Sequence, residues 1–355
     1  MARILIKNGR VWNGECFHYA DILTEENTIV KIEKAIEDHA DHIFDATGKI
    51  VSAGLVDTHV HMRGISSHKY GIQAEMSCFP FGVTAAADAG GWHGDRALLD
   101  SFMVKNVVFA GVRITDNKAD LAAAETLLAQ YGDKAAGLKV YFDTNGSTVS
   151  DTTPLREVCA YARANGLQVM VHCNHSPTPM VDILDALNPG DILTHIYHGG
   201  SNTIEADDYS AYRLARQKGI ILDMGMAGHV HTDFGVLKRA ISAGCLPHTI
   251  STDITKASAY KRGGRYGMTM CMNIAQTLGM QEQDIFRAVT SAAAKALGKE
   301  NDWGYLKVGR QADIAVFHVT DEPFDLTDKA KNRVHNQKGY RCVLTISDGQ
   351  VVYRD

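Results

Sequence analysis

Short apolar runs alternate with helix-like segments through the middle of the chain. The runs cover residues 50–59, 83–88, 107–114, 137–142, 167–172, 192–195, 220–224 and 248–253. Apolar residues recur at helical spacing in 121–131, 154–164, 179–187, 209–218, 234–242, 263–278 and 283–297. Eight strands alternating with helices over ~250 residues predict a (β/α)8 TIM barrel, here spanning residues 51–305. A doubly wound open sheet is the alternative, but no Gly-x-Gly-x-x-Gly segment follows an early strand.

Both ends of the chain have the pattern of antiparallel β-structure instead. Asn8-Gly9, Glu25-Glu26-Asn27 and Asp348-Gly349 each separate two strand-like runs, so each predicts a hairpin turn. A lone hairpin is only marginally stable in water. We therefore expect residues 1–50 and 306–355 to combine into one small β-sandwich domain, with the barrel inserted between them.

Composition and charge narrow the function classes. The 355 residues are 45% hydrophobic and carry a net charge of −5, without the basic stripe typical of a nucleic-acid binder. No apolar run reaches the ~20 residues that span a bilayer, and the first residues turn polar too early for a secretory signal. Seven scattered cysteines without a Cys-x-x-Cys pair indicate reduced thiols. We expect a cytoplasmic protein with a small-molecule substrate and with no nucleic-acid or membrane partner, and a homo-oligomer is compatible with the sequence.

Metal-binding residue types recur where the predicted strands end. His59 and His61 are two apart at the first strand end, and His172, His195 and Asp253 each close a later run. The carboxyl ends of barrel strands meet at one rim, which places these side chains near each other. Taken singly, each has a structural alternative, such as a buried histidine or a helix-capping aspartate. Together they offer the imidazole and carboxylate ligands that zinc and similar cations accept.

Lys139 stands inside an apolar strand, Gly137-Leu-Lys-Val-Tyr-Phe142. Burying an ammonium group is costly without a partner. One explanation is an ion pair with Asp143 or another carboxylate of the barrel. The other is an uncharged amine that has captured carbon dioxide to become N6-carboxylysine, whose two carbamate oxygens can bridge two cations. With Lys139 included, six side chains suffice for two divalent metal ions, for which we expect Zn²⁺.

These motifs resemble the amidohydrolase superfamily over essentially the whole chain. The segment from Ile50 through Asp57-Thr-His59-Val-His61 is similar to the family's entry into its first barrel strand, and 313–317 and 347–353 are similar to its return to the β-domain.

The resemblance also implies roles for the six side chains. His59, His61 and Asp253 would hold the more buried metal, His172 and His195 the more exposed one, and carboxylated Lys139 would bridge them. A hydroxide shared by the metals would attack an amide or ester, with Asp253 as general base and then general acid.

Within the superfamily, the chain is most similar to the dihydroorotase-like branch that includes deacetylases of small acylated acids. Asp88-Ala-Gly-Gly91 and Gly225-Met-Ala-Gly228-His229 carry this similarity. His61-Met-Arg63 is similar to true dihydroorotases, in which the arginine binds a substrate carboxylate, but the acidic stretch and the Met-Pro-Asn segment of those enzymes are missing. The resemblance therefore implies deacetylase-like hydrolysis of a small, carboxylate-bearing metabolite.

Residues that follow the predicted barrel strands are candidates for substrate contacts, because loops at this rim determine specificity. They are Arg63, Asn174, Tyr197 and His229. Two other enzyme functions stay open, namely a cyclic amidohydrolase of the dihydroorotase or hydantoinase type and a mononuclear deaminase, which needs no lysine on the fourth strand. A metal-free scaffold protein is a further alternative, which the presence of all six ligand types disfavours.

Overall fold

The computed structural model describes residues 2–92, 94–145, 147–228, 230–261 and 265–355. In chain order its strands are β1 (Arg3–Trp12), β2 (Phe17–Glu25), β3 (Thr28–Glu33), β4 (His42–Asp45), β5 (Lys49–Ala53), β6 (Leu55–Val60), β7 (Val83–Ala89), β8 (Lys105–Val112), β9 (Ile114–Thr115), β10 (Lys118–Ala119), β11 (Ala135–Tyr141), β12 (Gln168–His172), β13 (Ile192–Thr194), β14 (Ile221–Asp223), β15 (Ile314–Thr320), β16 (Phe324–Thr327), β17 (Arg333–Asn336), β18 (Gly339–Ser347) and β19 (Gln350–Arg354). Its helices are α1 (Ala74–Cys78), α2 (Arg96–Ser101), α3 (Leu121–Tyr131), α4 (Thr153–Ala164), α5 (Met180–Ala186), α6 (Ala206–Lys218), α7 (Phe234–Ser242), α8 (Lys256–Lys261), α9 (Met268–Thr277), α10 (Glu282–Val289) and α11 (Ser291–Ala296). Among these helices, none is both long and apolar enough to cross a bilayer.

Seven parallel strands form most of the barrel wall, in the order β6-β7-β8-β11-β12-β13-β14. Residues 249–254 form the remaining side of the barrel. Thr249 makes a parallel bridge to Asp223 at the end of β14, and Ile254 makes one to Val60 at the end of β6. Both edges of the sheet thereby find a partner, and the wall closes. The predicted (β/α)8 barrel is confirmed, with the strand ends that carry the candidate ligands at one rim.

One eight-stranded sheet combines the two ends of the chain. Its order is β19-β18-β15-β5-β1-β2-β3, with β4 paired to β1. Strand β5 joins the two halves, because it pairs in parallel with β1 and antiparallel with β15. The sheet has an apolar core of its own, to which Ile6, Ile22, Val51, Ile314 and Ile346 contribute.

The predicted hairpin at Asn8-Gly9 is wrong. Both residues lie within the continuous strand β1, where the pairing register with β2 shifts between Ile6 and Gly9. Asn8 has φ +62°, and its N–H donates to Asp21 Oδ1 at 2.7 Å. A β-bulge uses the same left-handed backbone conformation as a turn, so the dipeptide alone does not distinguish them. The hairpin predicted at Asp348-Gly349 joins β18 to β19 as expected.

Two predicted elements are each divided in the structure. The apolar run 50–59 supplies β5 to the terminal sheet and β6 to the barrel, with Gly54 between them. The helical segment 283–297 divides at Thr290 into α10 and α11. Thr290 has φ −127° and ψ −97°, and its hydroxyl accepts a hydrogen bond from the indole N–H of Trp12 at 3.1 Å. Contacts distant in sequence fix these breaks, and local periodicity does not reveal them.

Candidate metal centre

The six predicted ligands meet at the carboxyl ends of the barrel strands, and all are buried. Two groups of side chains there have ligand atoms within 4.8 Å of one another. The first group consists of His59, His61 and Asp253, and the second of His172, His195 and His231. Lys139 lies on β11 beside the first group, with Nζ 3.3 Å from His59 Nε2.

Asp253 is the carboxylate at the centre of the site. Its Oδ1 lies 2.9 Å from His61 Nε2 and 3.4 Å from His59 Nε2, and its Oδ2 lies 3.9 Å from His195 Nε2. Burial alone would raise the pKa of Asp253, but it lies below its ordinary value, because His61 donates a hydrogen bond to the carboxylate and any positive charge on the neighbouring rings would favour the ionised form. The backbone at Asp253 is left-handed, with φ +46°, a strained conformation that is common at functional sites. Asp253 is therefore ionised at neutral pH and can bind a cation or accept a proton.

Lys139 is fully buried, and no carboxylate among the described residues forms an ion pair with it. Burial lowers the pKa of Lys139 to about 8, although the carboxylates of Asp253 and Asp223 act in the opposite direction. The alternative partner suggested by the sequence, Asp143, accepts a hydrogen bond from His172 Nε2 at 3.0 Å instead. An amine with so low a pKa is uncharged often enough at neutral pH to react with carbon dioxide.

The Asp88-Ala-Gly-Gly91 segment makes room for this lysine. A Cβ atom on Gly90 would lie 2.7 Å from Cγ of Lys139, and the φ of Gly90 is +98°. A larger residue there would collide with the lysine stem and would also strain the backbone. The motif that suggested a subfamily in the sequence thus has a packing role beside Lys139.

Hydrogen bonds fix the orientation of the histidines. His59 Nδ1 lies 3.2 Å from Thr194 Oγ1, which donates to Asp223 Oδ2 at 2.6 Å. His195 Nδ1 donates to the carbonyl oxygen of Gly225 at 2.6 Å. In metal-binding histidines, one ring nitrogen usually makes a hydrogen bond of this kind and the other binds the cation.

The imidazoles of His59, His172 and His195 are uncharged at neutral pH. Burial lowers the pKa of His172, and it lowers the pKa of His59 and His195 well below the ordinary value. A neutral imidazole keeps a lone pair on one ring nitrogen. The centre therefore offers cation-binding lone pairs at neutral pH.

His231 belongs to this centre, although sequence analysis did not select it. Its Nε2 lies 3.6 Å from Asp253 Oδ2, and its ring centroid lies 4.3 Å from that of His195 and 5.0 Å from that of His172. The signal was its place in the loop after β14, in the same stretch as His229. We selected His229, which lies outside the described residues.

Of the other candidates for substrate contact, Arg63 and Tyr197 are held by partners elsewhere in the barrel, whereas Asn174 contacts the centre. Arg63 forms an ion pair with Asp88, with Nη2 2.9 Å from Oδ1, and does not line the cavity above the ligands. Tyr197 is fully buried, and its hydroxyl donates to a backbone carbonyl at 2.8 Å. Asn174 is in contact with the centre, because its Nδ2 lies 2.7 Å from His231 Nδ1.

A cavity of about 300 Å³ opens above the ligands. Besides Asp253 and the histidines of the two ligand groups, its wall includes Lys69, Tyr70, Asn145 and Ser258. Within the described part of the chain, Lys69 is the one lysine or arginine that lines this cavity, and it forms no ion pair there. The cavity suits a small polar molecule, and its rim offers a positive charge.

Comparisons with known proteins bear on the family and on the fold. The sequence profile described as "Amidohydrolase family" matches residues 50–352. A protein named deacetylase from Enterococcus faecalis is 28% identical over 374 residues, which covers 98% of each chain. A dihydroorotase from Lactobacillus acidophilus is 26% identical over 435 residues, covering 99% of each chain. Among solved structures, a dihydroorotase superposes with a TM-score of 0.86 at 23% identity over 100% of this chain and 98% of that one, and an adenine deaminase with 0.85 at 24% identity over 100% of both.

Proposed function

Because the chain belongs to the amidohydrolase family, we propose that it is a dinuclear metal-dependent hydrolase that cleaves an amide or ester bond in a small, carboxylate-bearing metabolite, as a deacetylase does. The observation that carries the proposal is the position of Lys139. Its buried amine lies 3.3 Å from His59 in the first ligand group. Strand β11, which carries Lys139, also pairs with β12, which ends in His172 of the second group. A deaminase with one metal has no need for a lysine in this position.

Each ligand group fits one cation. His59, His61 and Asp253 would hold the first, and His172 and His195 would hold the second. Imidazole and carboxylate are suitable ligands for Zn²⁺, which we expect in both positions. When bound, two such cations supply Lewis acidity and a nucleophilic water at neutral pH.

The chain's own residues account for bridging and for proton transfer. Lys139 as N6-carboxylysine would place one carbamate oxygen toward each ligand group. Asp253 is ionised and lies between the groups, so it can take a proton from the attacking water at a carboxylate oxygen. It would then deliver that proton to the leaving nitrogen or oxygen, which completes hydrolysis.

Charge and size at the cavity support the substrate class. The volume of about 300 Å³ suits a small metabolite. Sequence analysis gave Arg63 as a candidate for binding the substrate carboxylate, but Asp88 already neutralises that guanidinium. Lys69 lines the cavity wall and is available for this role.

The proposal is tested by metal analysis together with a substrate panel. Purified protein should contain two divalent ions per chain and should deacylate N-acetyl amino acids or O-acyl hydroxy acids. The same preparation is assayed on dihydroorotate and hydantoins, as the similarity to a dihydroorotase favours ring opening as the second candidate. Ring opening without deacylation would replace the proposed reaction by that candidate. A single ion with an unmodified Lys139 would point to a deaminase.

A further inference from the structure

The imidazole rings of the second ligand group lie close together. The rings of His172 and His195 have their centroids 4.5 Å apart, and His231 lies within 5.0 Å of both. The ligand nitrogens of all three lie within 4.8 Å of one another. Three imidazoles this close can reach one cation, because nitrogen binds zinc-like ions at about 2.0–2.1 Å and the nitrogens then lie some 3–4 Å apart.

Each of the three rings also has one nitrogen held by the protein. The holding contacts are Asp143 Oδ2 on His172 Nε2 at 3.0 Å, the Gly225 carbonyl on His195 Nδ1 at 2.6 Å, and the Asn174 amide on His231 Nδ1 at 2.7 Å. Such a contact to the remote nitrogen is the usual support of a metal-binding histidine. The corresponding nitrogen of His231 also faces a polar group, here the amide of Asn174, whose Nδ2 is the contacting atom.

The Asn174 amide can supply the acceptor that a ligating His231 needs. For Nε2 to keep its lone pair, Nδ1 must carry the proton and donate it to an oxygen. A half-turn of the amide brings Oδ1 to Nδ1, and amide nitrogen and oxygen occupy nearly the same space. Among the described residues Oδ1 of Asn174 has no hydrogen-bond partner, so the half-turn costs no existing bond of that oxygen.

We propose that His231 is a third imidazole ligand of the cation held by His172 and His195, with Asn174 as its positioning residue. The inference rests on the proposed dinuclear centre and adds to it a ligand from the loop after β14. With His172, His195 and an oxygen of carboxylated Lys139, His231 would be the fourth protein ligand, and catalytic zinc can become five-coordinate, which leaves a position for water or substrate. His231 would make the second cation site strong enough to remain filled while that position exchanges.

Cobalt binding tests the proposal independently of catalysis. Metal-free protein is titrated with Co²⁺ by calorimetry and by visible absorption, as wild type, His231→Gln, Asn174→Ala and the control His318→Gln, which changes an exposed histidine of β15. Wild type and control should bind two Co²⁺ with the same pair of affinities. His231→Gln should weaken one of the two sites at least about tenfold and change its absorption, and Asn174→Ala should weaken the same site less.

The outcomes separate this inference from the proposed function. Wild-type protein that binds fewer than two Co²⁺ would refute the dinuclear centre itself. Two unchanged affinities and an unchanged spectrum in His231→Gln would overturn the ligand role alone, and so would a raised KM without a change in Co²⁺ affinity. Thermal unfolding of the metal-free variants identifies any loss of fold. If His231→Gln does not fold, the proton spectrum of Co²⁺-loaded wild type decides, because five ligating imidazoles should give one more shifted, exchangeable N–H signal than four.

Discussion

Replacing Arg63 by methionine should destabilise the protein strongly and should leave substrate affinity nearly unchanged. The Arg63 side chain is 4% exposed, and its Nη2 lies 2.9 Å from Oδ1 of Asp88, whose side chain is fully buried. The guanidinium also lies over the ring of Tyr131, with Cζ 4.8 Å from the ring centroid. Removing one partner of a buried ion pair leaves a charge without its counter-ion, which typically costs about 3–5 kcal/mol.

Hydrogen bonds from the backbone to Asp88 place the expected loss of unfolding free energy toward the lower end of that range. Its Oδ2 accepts hydrogen bonds from the backbone N–H groups of Met62 and Arg63, each at 2.9 Å, and neither depends on the arginine side chain. We therefore expect Arg63→Met to lower the free energy of unfolding by about 3 kcal/mol. The double variant Arg63→Met with Asp88→Asn keeps an acceptor for the backbone and removes the uncompensated charge, so it should lose less than Arg63→Met alone.

Urea unfolding of the wild type, both single variants and the double variant measures this coupling. Arg156→Met is the matched control, because its partner Asp185 and Arg156 itself are more than half exposed, and such pairs contribute only about 0–1 kcal/mol. KM is measured in parallel for a carboxylate-bearing substrate and a neutral analogue. An unchanged unfolding free energy in Arg63→Met, with a KM raised at least about tenfold for the carboxylate alone, would refute the ion-pair role and restore the substrate role.

Three further predictions concern the centre, its pH dependence and its specificity. Lys139→Ala should lose one of two metal ions by elemental analysis and most activity, and bicarbonate with a short carboxylic acid should restore part of both; unchanged metal content would exclude the bridge. Burial lowers the pKa of His198 to about 4, so the unfolded chain binds the proton more readily and stability falls as pH decreases from about 6.5 to 4. His198 can contribute at most about 3 kcal/mol to this loss of folding stability. Urea unfolding of His198→Gln should therefore give an unfolding free energy that depends less steeply on pH than that of the wild type. Lys69→Met should raise KM about tenfold for carboxylate-bearing substrates with little change in kcat, and an equal effect on neutral analogues would count against a charge-based contact.

Local periodicity predicted those parts of the fold whose boundaries depend on neighbouring residues. The helical patterns at 121–131 and 234–242 coincide with α3 and α7. The apolar runs correspond to barrel strands, and the run at 248–253 lies in the segment that closes the barrel. These features follow from amphipathic spacing and from strands buried on both faces, which the sequence displays directly.

Features that depend on distant partners were not predictable in this way. Asp88 lies 25 residues from Arg63, and Asn174 lies 57 residues from His231. Arg63 had the correct residue type for a substrate carboxylate, yet a buried aspartate on the next barrel strand occupies its guanidinium. His229 and His231 are two positions apart in the sequence after β14, and only coordinates reveal that His231 lies close to the other imidazoles.

The layer beneath the ligands connects the barrel wall to the chemistry of the site. Asp223, fully buried at the end of β14, accepts hydrogen bonds from the hydroxyls of Thr194, Thr249 and Ser251 at 2.6–2.7 Å. Because the Thr194 proton is directed at Asp223, its oxygen can only accept from His59 Nδ1, 3.2 Å away. The proton of the neutral His59 ring is therefore fixed on Nδ1, and the lone pair on Nε2 is directed toward Asp253 and the cavity. Strand residues that do not line the cavity thus select the tautomer that can bind a cation, and the sequence pattern of the barrel wall carries part of the site's properties.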